Sequence, residues 1–223
     1  MAEASRQRSP QQTTKLASLS DQVYQHLRLA IIRADLQPSE KLVELDIAAQ
    51  MGTSQGPVRE ALQRLERDGL VERRARSATH VTSVSNDEMF ELFSIRSMIE
   101  GFAIQRTAQN ITPSQCAELE DLIQKMAKAG AQNELILLAE HDMQFHQRLV
   151  EWSGSASLLR VWMLMSSQIE RFIVESHPLH YPDYVEVGMR HQPIVDALRQ
   201  QDSEAAVAAV QAHIMLIWSR IRP

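Results

Sequence analysis

The chain has 223 residues, 44% of them hydrophobic, with only 7 glycines and a formal net charge of −5. That is enough apolar material for two modest helical domains. No apolar run approaches the roughly 18 residues needed to span a bilayer, the first 15 residues carry no secretory-type apolar stretch, and the lone Cys116 cannot form an intrachain disulfide. A cytoplasmic protein with no membrane partner is therefore expected. The acidic balance seems to argue against nucleic acid, but it is uneven. Residues 1–84 hold 12 Lys and Arg against 10 Asp and Glu, whereas residues 85–223 hold 11 against 18. The first half can face phosphates while the acidic half stays away.

Residues 1–17 are polar, lack periodicity and read as a flexible arm. Val23, Leu27, Ala30 and Ile31 then fall at helical spacing, predicting a helix over 19–33 with Ser20 as its N-cap. The segment Asp35-Leu36-Gln37-Pro38 breaks it. A short helix over 44–51 is stopped by Gly52, and Thr53-Ser54 opens a third, over 55–68, with Pro57 in its first turn and Gly69 at its end. Two short stretches, 70–73 and 80–84, flank a polar tip at 74–79 and predict a β-hairpin. Three helices and a hairpin in some 65 residues is the order of a winged helix-turn-helix.

Ser85-Asn86-Asp87-Glu88 is a capping box that opens a new helix and marks a domain boundary, and Thr112-Pro113-Ser114-Gln115 is a second. Further helices are expected over 133–152, 157–175, 183–200 and 203–221. The fold class is thus mainly α: an N-terminal winged helix-turn-helix (18–84) and a C-terminal all-helical bundle (85–223).

In a helix-turn-helix the second helix lies in the major groove, with its N-terminal residues at base edges. Here Val58, Leu62 and Leu65 form the stripe that faces the core, leaving Arg59 pointing away, able to reach guanine or phosphate. Ser54 and Gln55 stand at the helix N-terminus, where backbone N–H groups favour an anion. Arg64 lies further along this helix, and Arg73, Arg74 and Arg76 lie on or near the hairpin. Spacing alone would equally suit a solvated basic face on an ordinary helical domain.

Residues 19–84 resemble the DNA-binding domain of the GntR family of bacterial regulators. The resemblance is carried by Leu29-Ala30-Ile31-Ile32, Pro38 to Leu42, Ala48-Ala49-Gln50-Met51-Gly52, Pro57-Val58-Arg59-Glu60-Ala61-Leu62 and Leu65-Glu66-Arg67-Asp68-Gly69-Leu70-Val71. It implies that Ser54, Gln55 and Arg59 face operator DNA and that the hairpin tip lies at the minor groove. Gln55 stands where the family usually has Arg, and Gly56 where it usually has Thr. Gln prefers adenine where Arg prefers guanine, so an altered half-site is expected.

In the second half, Asp142 and His146 are four residues apart and share a helix face, while His191 and His213 lie on later helices. A carboxylate with three imidazoles suits a divalent ion: Zn2+ first, with Ni2+ or Mn2+ as alternatives. Ordinary half-buried histidines would produce the same pattern. Residues 86–223 are similar to the FCD ligand-binding domain of the FadR subfamily, through Arg96-Ser97-Met98-Ile99-Glu100, Asp142-Met143-Gln144-Phe145-His146, Ser153-Gly154, His191 ahead of Ile194 and Ala197-Leu198, and Ala205-Ala206 leading to His213. The resemblance implies that Asp142, His146, His191 and His213 are metal ligands. It also places Arg96 in an effector cavity, where a guanidinium can hold a carboxylate in two bonds; the plainer reading of Arg96 is a surface ion pair with Glu100. Pro193, just after His191, is expected to start or kink a helix. His177 and His180, flanking Pro178, read as surface residues of a loop. Trp152, Trp162 and Trp218 read as packing.

The reading is a dimeric, metabolite-responsive transcriptional regulator, expected to repress, with double-stranded operator DNA and a small organic acid as partners. The rivals are the same regulator without metal and a metal-dependent hydrolase. The second rival rests on the dipeptide His141-Asp142, familiar from metal-dependent phosphohydrolases. Adjacent residues on a helix diverge by about 100°, and the pattern offers no clear general base.

Overall fold

In the computed structural model, residues 17–74 and 78–221 are described. The expected arm at 1–17 lies almost wholly outside them, as does Arg76. Helix α1 (Leu19–Ile32) begins at Ser18, not at Ser20. Ser18 holds the extended backbone an N-cap needs, its hydroxyl accepts the Asp21 N–H, and the Asp21 carboxylate reaches back to the Ser18 N–H. Helices α2 (Glu44–Gln50) and α3 (Gln55–Arg67) follow, joined through Gly52 at φ 61°, a left-handed turn that glycine adopts without steric cost.

A strand absent from the sequence reading, β1 (Lys41–Leu42), completes a small antiparallel sheet with β2 (Val71–Arg74) and β3 (Ala78–Val81) in the order β1-β3-β2. Two residues carry no alternation that a pattern could detect. Register pairs Val71 with Val81 and Arg74 with Ala78, so the paired strands take in Arg74, Ala78 and Thr79, which were expected in the tip. Val23, Leu27, Ile31, Val58, Leu62, Leu65, Leu70 and Val81 close this first core.

The remainder is helical: α4 (Asn86–Asn110), α5 (Pro113–Ala131), α6 (Leu135–Trp152), α7 (Ala156–His180), α8 (Tyr184–Met189), α9 (Gln192–Arg199), α10 (Ser203–Met215) and α11 (Trp218–Ile221). Both expected capping boxes are formed, at Ser85 with Glu88 and at Thr112 with Gln115. The single helix expected over 183–200 is two. It breaks at Arg190–His191, because Pro193 occupies the first turn of α9, where its missing N–H costs nothing.

A larger departure concerns α7. It runs through Pro178 to His180, so His177 is not in a loop; it is 6% exposed. Proline removes one helical hydrogen bond at a cost of about 3 kcal/mol. Against that, Ile173, Ser176 and His177 are buried, the Tyr181 N–H closes the last turn on the His177 carbonyl, and the His177 and Tyr181 rings meet edge to face at 4.8 Å.

Packing of α4 against α10, α5 against α6 and α8, and α6 against α7 buries Ile104, Leu119, Met126, Phe145, Leu149 and Trp162. Gly130 lets α5 meet α8 closely: a Cβ there would lie 2.6 Å from the Tyr184 backbone carbonyl. The two halves meet through α7. Glu170 pairs with Arg28 of α1, Ser167 accepts from Arg28, and Arg171 donates to the Thr82 carbonyl at 2.9 Å. No described helix is long and apolar enough to cross a membrane.

Candidate functional site

The first candidate surface is the start of α3. Val58, Leu62 and Leu65 are fully or almost fully buried, which turns Arg59 outward with its side chain 57% exposed. Its Nε donates to Glu44 Oε2 at 2.6 Å and its Nη2 to Gln55 Oε1 at 2.9 Å. The guanidinium is thus held in place beside the N-terminal turn. Ser54 is the N-cap, and its hydroxyl makes no capping bond. Arg64 is directed elsewhere, towards α1. It pairs with Asp21 at 2.5 Å and lies 4.1 Å over the Tyr24 ring, bracing the domain apart from Arg59. Arg73 lies on β2, half exposed and 3.7 Å from Glu66, and Arg74 ends that strand.

The second candidate is in the helical half. Asp142 and His146 come from α6, His191 from the N-cap of α9 and His213 from the last turn of α10, and one donor atom from each falls within 4.8 Å of the others. The ring of His146 stacks on that of His213 at 5.2 Å, and those of His191 and His213 lie 4.0 Å apart. Asp142 Oδ2, His146 Nε2, His191 Nε2 and His213 Nδ1 are all buried without a hydrogen-bond partner. His191 Nε2 is 3.0 Å from Asp142 Oδ1, close but not aligned as a hydrogen bond. Orphaned buried polar atoms are rare because each costs about 1–3 kcal/mol. Four converging on one point, with one carboxylate and three imidazoles, fit a divalent cation.

The other ring nitrogens are positioned. His146 Nδ1 meets Glu100 Oε2 at 2.5 Å, and His191 Nδ1 lies 3.1 Å from the Gly188 carbonyl. Each bond fixes the tautomer that presents an Nε2 lone pair to the cluster, as outer partners of metal-bound histidines do. Glu100 is the hub. It is fully buried and also accepts from Arg96 Nε and Trp162 Nε1, each at 2.8 Å on Oε1. Sequence reasoning considered Glu100 only as a surface partner of Arg96. The pairing exists, but Arg96 is 2% exposed, with Nη2 unpartnered and 3.9 Å from Asp142 Oδ2.

Burial alone would raise the Glu100 carboxyl, but the His146 ring and the Arg96 guanidinium reverse the sign and hold it at about 2. Burial likewise opposes ionisation of Asp142. Its contact with His191, together with the nearby His146 ring and the Arg96 guanidinium, keeps it well below the usual carboxylate range. Burial lowers His146 and His213, keeping those imidazoles neutral and able to ligate. Beside the cluster is a cavity of about 40 Å3, lined by Arg96, Asp142 and His213 and also by His177, Tyr181 and Arg190. His141 shares no part of it: it contacts Gln144 at 3.4 Å, having diverged from Asp142 as helix geometry requires.

Comparison with known proteins agrees with both halves. The profile of the bacterial regulatory proteins of the gntR family matches residues 19–81, and that of the FCD domain matches residues 91–215. The chain is 31% identical over 198 residues to a probable D-xylose utilization operon transcriptional repressor of Paenarthrobacter nicotinovorans, covering 88% of this chain and 86% of that one. It is 27% identical over 210 residues to the HTH-type transcriptional repressor RspR of Escherichia coli K12, covering 92% and 89%. Among solved structures, E. coli McbR/YncC superposes with a TM-score of 0.76 at 22% identity, over 93% of this chain and 100% of that one. A GntR regulator from Rhodococcus sp. RHA1 gives 0.74 at 25% identity, over 91% and 96%. The chain therefore belongs to the GntR family of bacterial transcriptional regulators, with an N-terminal helix-turn-helix and a C-terminal FCD domain, and it is a DNA-binding regulator, not an enzyme.

Proposed function

We propose that this regulator is a cytoplasmic homodimeric repressor whose helical half (85–223) senses a small organic acid through a divalent metal ion, and whose winged half (18–84) reads operator DNA. The observation that carries the sensor reading is the convergence of Asp142, His146, His191 and His213, four buried donors from three helices with nothing else to bond. These four would hold the ion, Zn2+ first and Ni2+ or Mn2+ as alternatives. A bound ion would act as a Lewis-acid anchor for an effector carboxylate. Arg96 offers Nη2 to the same carboxylate, while Glu100 fixes both Arg96 and His146 in the orientation this needs.

At the other end, Ser54, Gln55 and Arg59 would approach base edges and phosphates, with Arg73 and Arg74 of β2, and Arg76 outside the described residues, as further candidates for phosphate. Two copies would engage half-sites about one DNA turn apart. Repression is supported by the relatives from P. nicotinovorans and E. coli, the first a probable transcriptional repressor and the second a transcriptional repressor. The route between the ends is α7. It carries Trp162 on the Glu100 hub and, two turns on, Glu170 and Arg171 on the winged half. An effector that binds two placements of α7 unequally shifts the population between them.

Elemental analysis of purified full-length protein, with thermal melts before and after chelation, tests the sensor reading. The expected result is about one metal per chain and a lower melting temperature on stripping, because a ligand bound to the folded state stabilises it. Metal-free protein whose melt is unchanged by added Zn2+, Ni2+ or Mn2+ would overturn it.

A further inference from the structure

Helix α7 lines two separate cavities. Ile173 and His177, with Tyr181 at the helix end, line the one beside the four-donor cluster. Gln168, Phe172, Glu175 and Leu179, which recur every three or four residues and so share a helix face, line a second one at the seam between the two halves. The two cavities have no lining residue in common among those described. The seam cavity has a volume of about 250 Å3, and its other walls come from Leu70 of the winged half, Val84 of the linker between the halves, Met89 of α4 and Ile221 of α11. Beside it the halves pack tightly: a Cβ at Gly69, just past α3, would collide with the Gln168 side chain.

Its walls restrict what it can take. Leu179 is 77% exposed, so apolar surface stands open at the cavity for a ligand to cover. Arg171, also in the lining, is already satisfied: its Nε donates to Glu175 Oε1 at 2.7 Å and its Nη1 to the Thr82 carbonyl at 2.9 Å. A bound anion would have to compete with Glu175 for Arg171, and a bound cation with Arg171 for Glu175. Either gives up an existing ion pair and adds the cost of drying a charge. An uncharged ligand disturbs neither partner. An apolar cavity of about 150 Å3 holds benzene, so one of about 250 Å3 takes a molecule of two fused rings or equal bulk.

We propose that the seam cavity is a second ligand site of this regulator, separate from the metal-centred one, and that it takes one compact, uncharged, largely apolar molecule. Apolar clefts between domains are where such ligands bind. A molecule held there touches Leu70 and the linker on one side and α7 on the other, so it binds different placements of the winged half unequally. Its affinity and that of operator DNA then change each other by the same factor. This site stands or falls apart from the metal-and-acid reading, since none of the four donors or Arg96 takes part in it.

The test is calorimetric titration of full-length protein at pH 7 with three probes of matched shape: 2-naphthol, uncharged, against 2-naphthoate and 2-naphthylmethylammonium. One 2-naphthol per chain is expected, bound tenfold or more tightly than either charged probe, with amide hydrogen exchange slowed in the segments 82–89 and 168–179. Val84→Trp and Leu179→Trp each put a larger side chain at the cavity from a position that is 37% or 77% exposed, where the fold has room for it. Each is expected to weaken 2-naphthol tenfold or more with little change in melting temperature. Saturating 2-naphthol should also alter the affinity of the wild-type protein for selected operator fragments at least threefold, and that of Val84→Trp by less. No saturable binding of 2-naphthol, a charged probe bound as tightly, or full affinity retained in either folded tryptophan variant would overturn the site. Operator affinity unmoved by bound 2-naphthol would overturn its coupling to DNA.

Discussion

Replacing Glu100 by Gln removes one charge and changes almost no volume, yet it takes away the acceptor that one of its three buried bonds requires. Glu100 accepts from Arg96, Trp162 and His146, and all four side chains are buried. A Gln amide has a single acceptor oxygen. If that oxygen keeps Arg96 and Trp162, the amide NH2 faces His146 Nδ1, which now sits at 2.5 Å from Oε2. Two donors cannot share that contact. Either the bond is lost, or His146 changes tautomer and turns an N–H towards the cluster in place of a lone pair. Removing one partner of a buried ion pair costs about 3–5 kcal/mol because the other charge stays buried. Domains of this size have only about 5–15 kcal/mol in total. Urea unfolding of Glu100→Gln should therefore show a loss of roughly 3 kcal/mol. Metal competition against a chromophoric chelator should show affinity lower by about 10–100-fold, the usual effect of losing an outer partner of a ligand. A variant with wild-type stability and wild-type metal affinity would refute the hub role assigned to Glu100.

Three further outcomes are expected. Arg59→Ala should weaken binding to selected operator fragments by about 1–3 kcal/mol while leaving the melting temperature nearly unchanged, read by fluorescence anisotropy; equal affinity would exclude Arg59 from the interface. Gly130→Ala should destabilise by about 1–3 kcal/mol, because the added methyl meets the Tyr184 backbone at 2.6 Å and backbone cannot rotate aside; an unchanged urea midpoint would mean that the α5–α8 approach is slack. Finally, His177 is lowered by burial from 6.5 to about 4. The unfolded chain then takes up a proton that the folded one refuses, so stability is complete above pH 6.5 and declines between 6.5 and about 4, by up to roughly 3 kcal/mol. Unfolding at pH 7.5 and 5 should show this decline, and His177→Phe should reduce it. A slope that this variant leaves unchanged would assign the decline to other groups.

Much of the architecture was legible in the chain because its signals are local. The capping boxes at Ser85 and Thr112, Gly52, and the stripe of Val58, Leu62 and Leu65 each report on a few neighbouring residues, and each forms as read. What failed was decided elsewhere in the molecule. Strand β1 exists because β3 lies beside it. Ser18 caps α1 through Asp21, where Ser20 is nearer the apolar pattern but already inside the helix.

The candidate site divides the same way. Residue types and i,i+4 spacing single out Asp142 and His146 and offer His191 and His213 on later helices; resemblance makes the four a ligand set and adds Arg96. Proximity in sequence says nothing about Glu100 receiving bonds from residues 46 and 62 positions away. Nor does it place His177 inside: the local rule that proline ends helices points to a loop, and only burial of the α7 face against the rest of the bundle outweighs it. The sequence by itself determined the order of helices and hairpin, the outward direction of Arg59 and the shared face of Asp142 and His146, since those follow from backbone periodicity. The tertiary structure alone decided which polar atoms are buried without partners, because desolvation depends on everything packed around an atom and not on its neighbours along the chain.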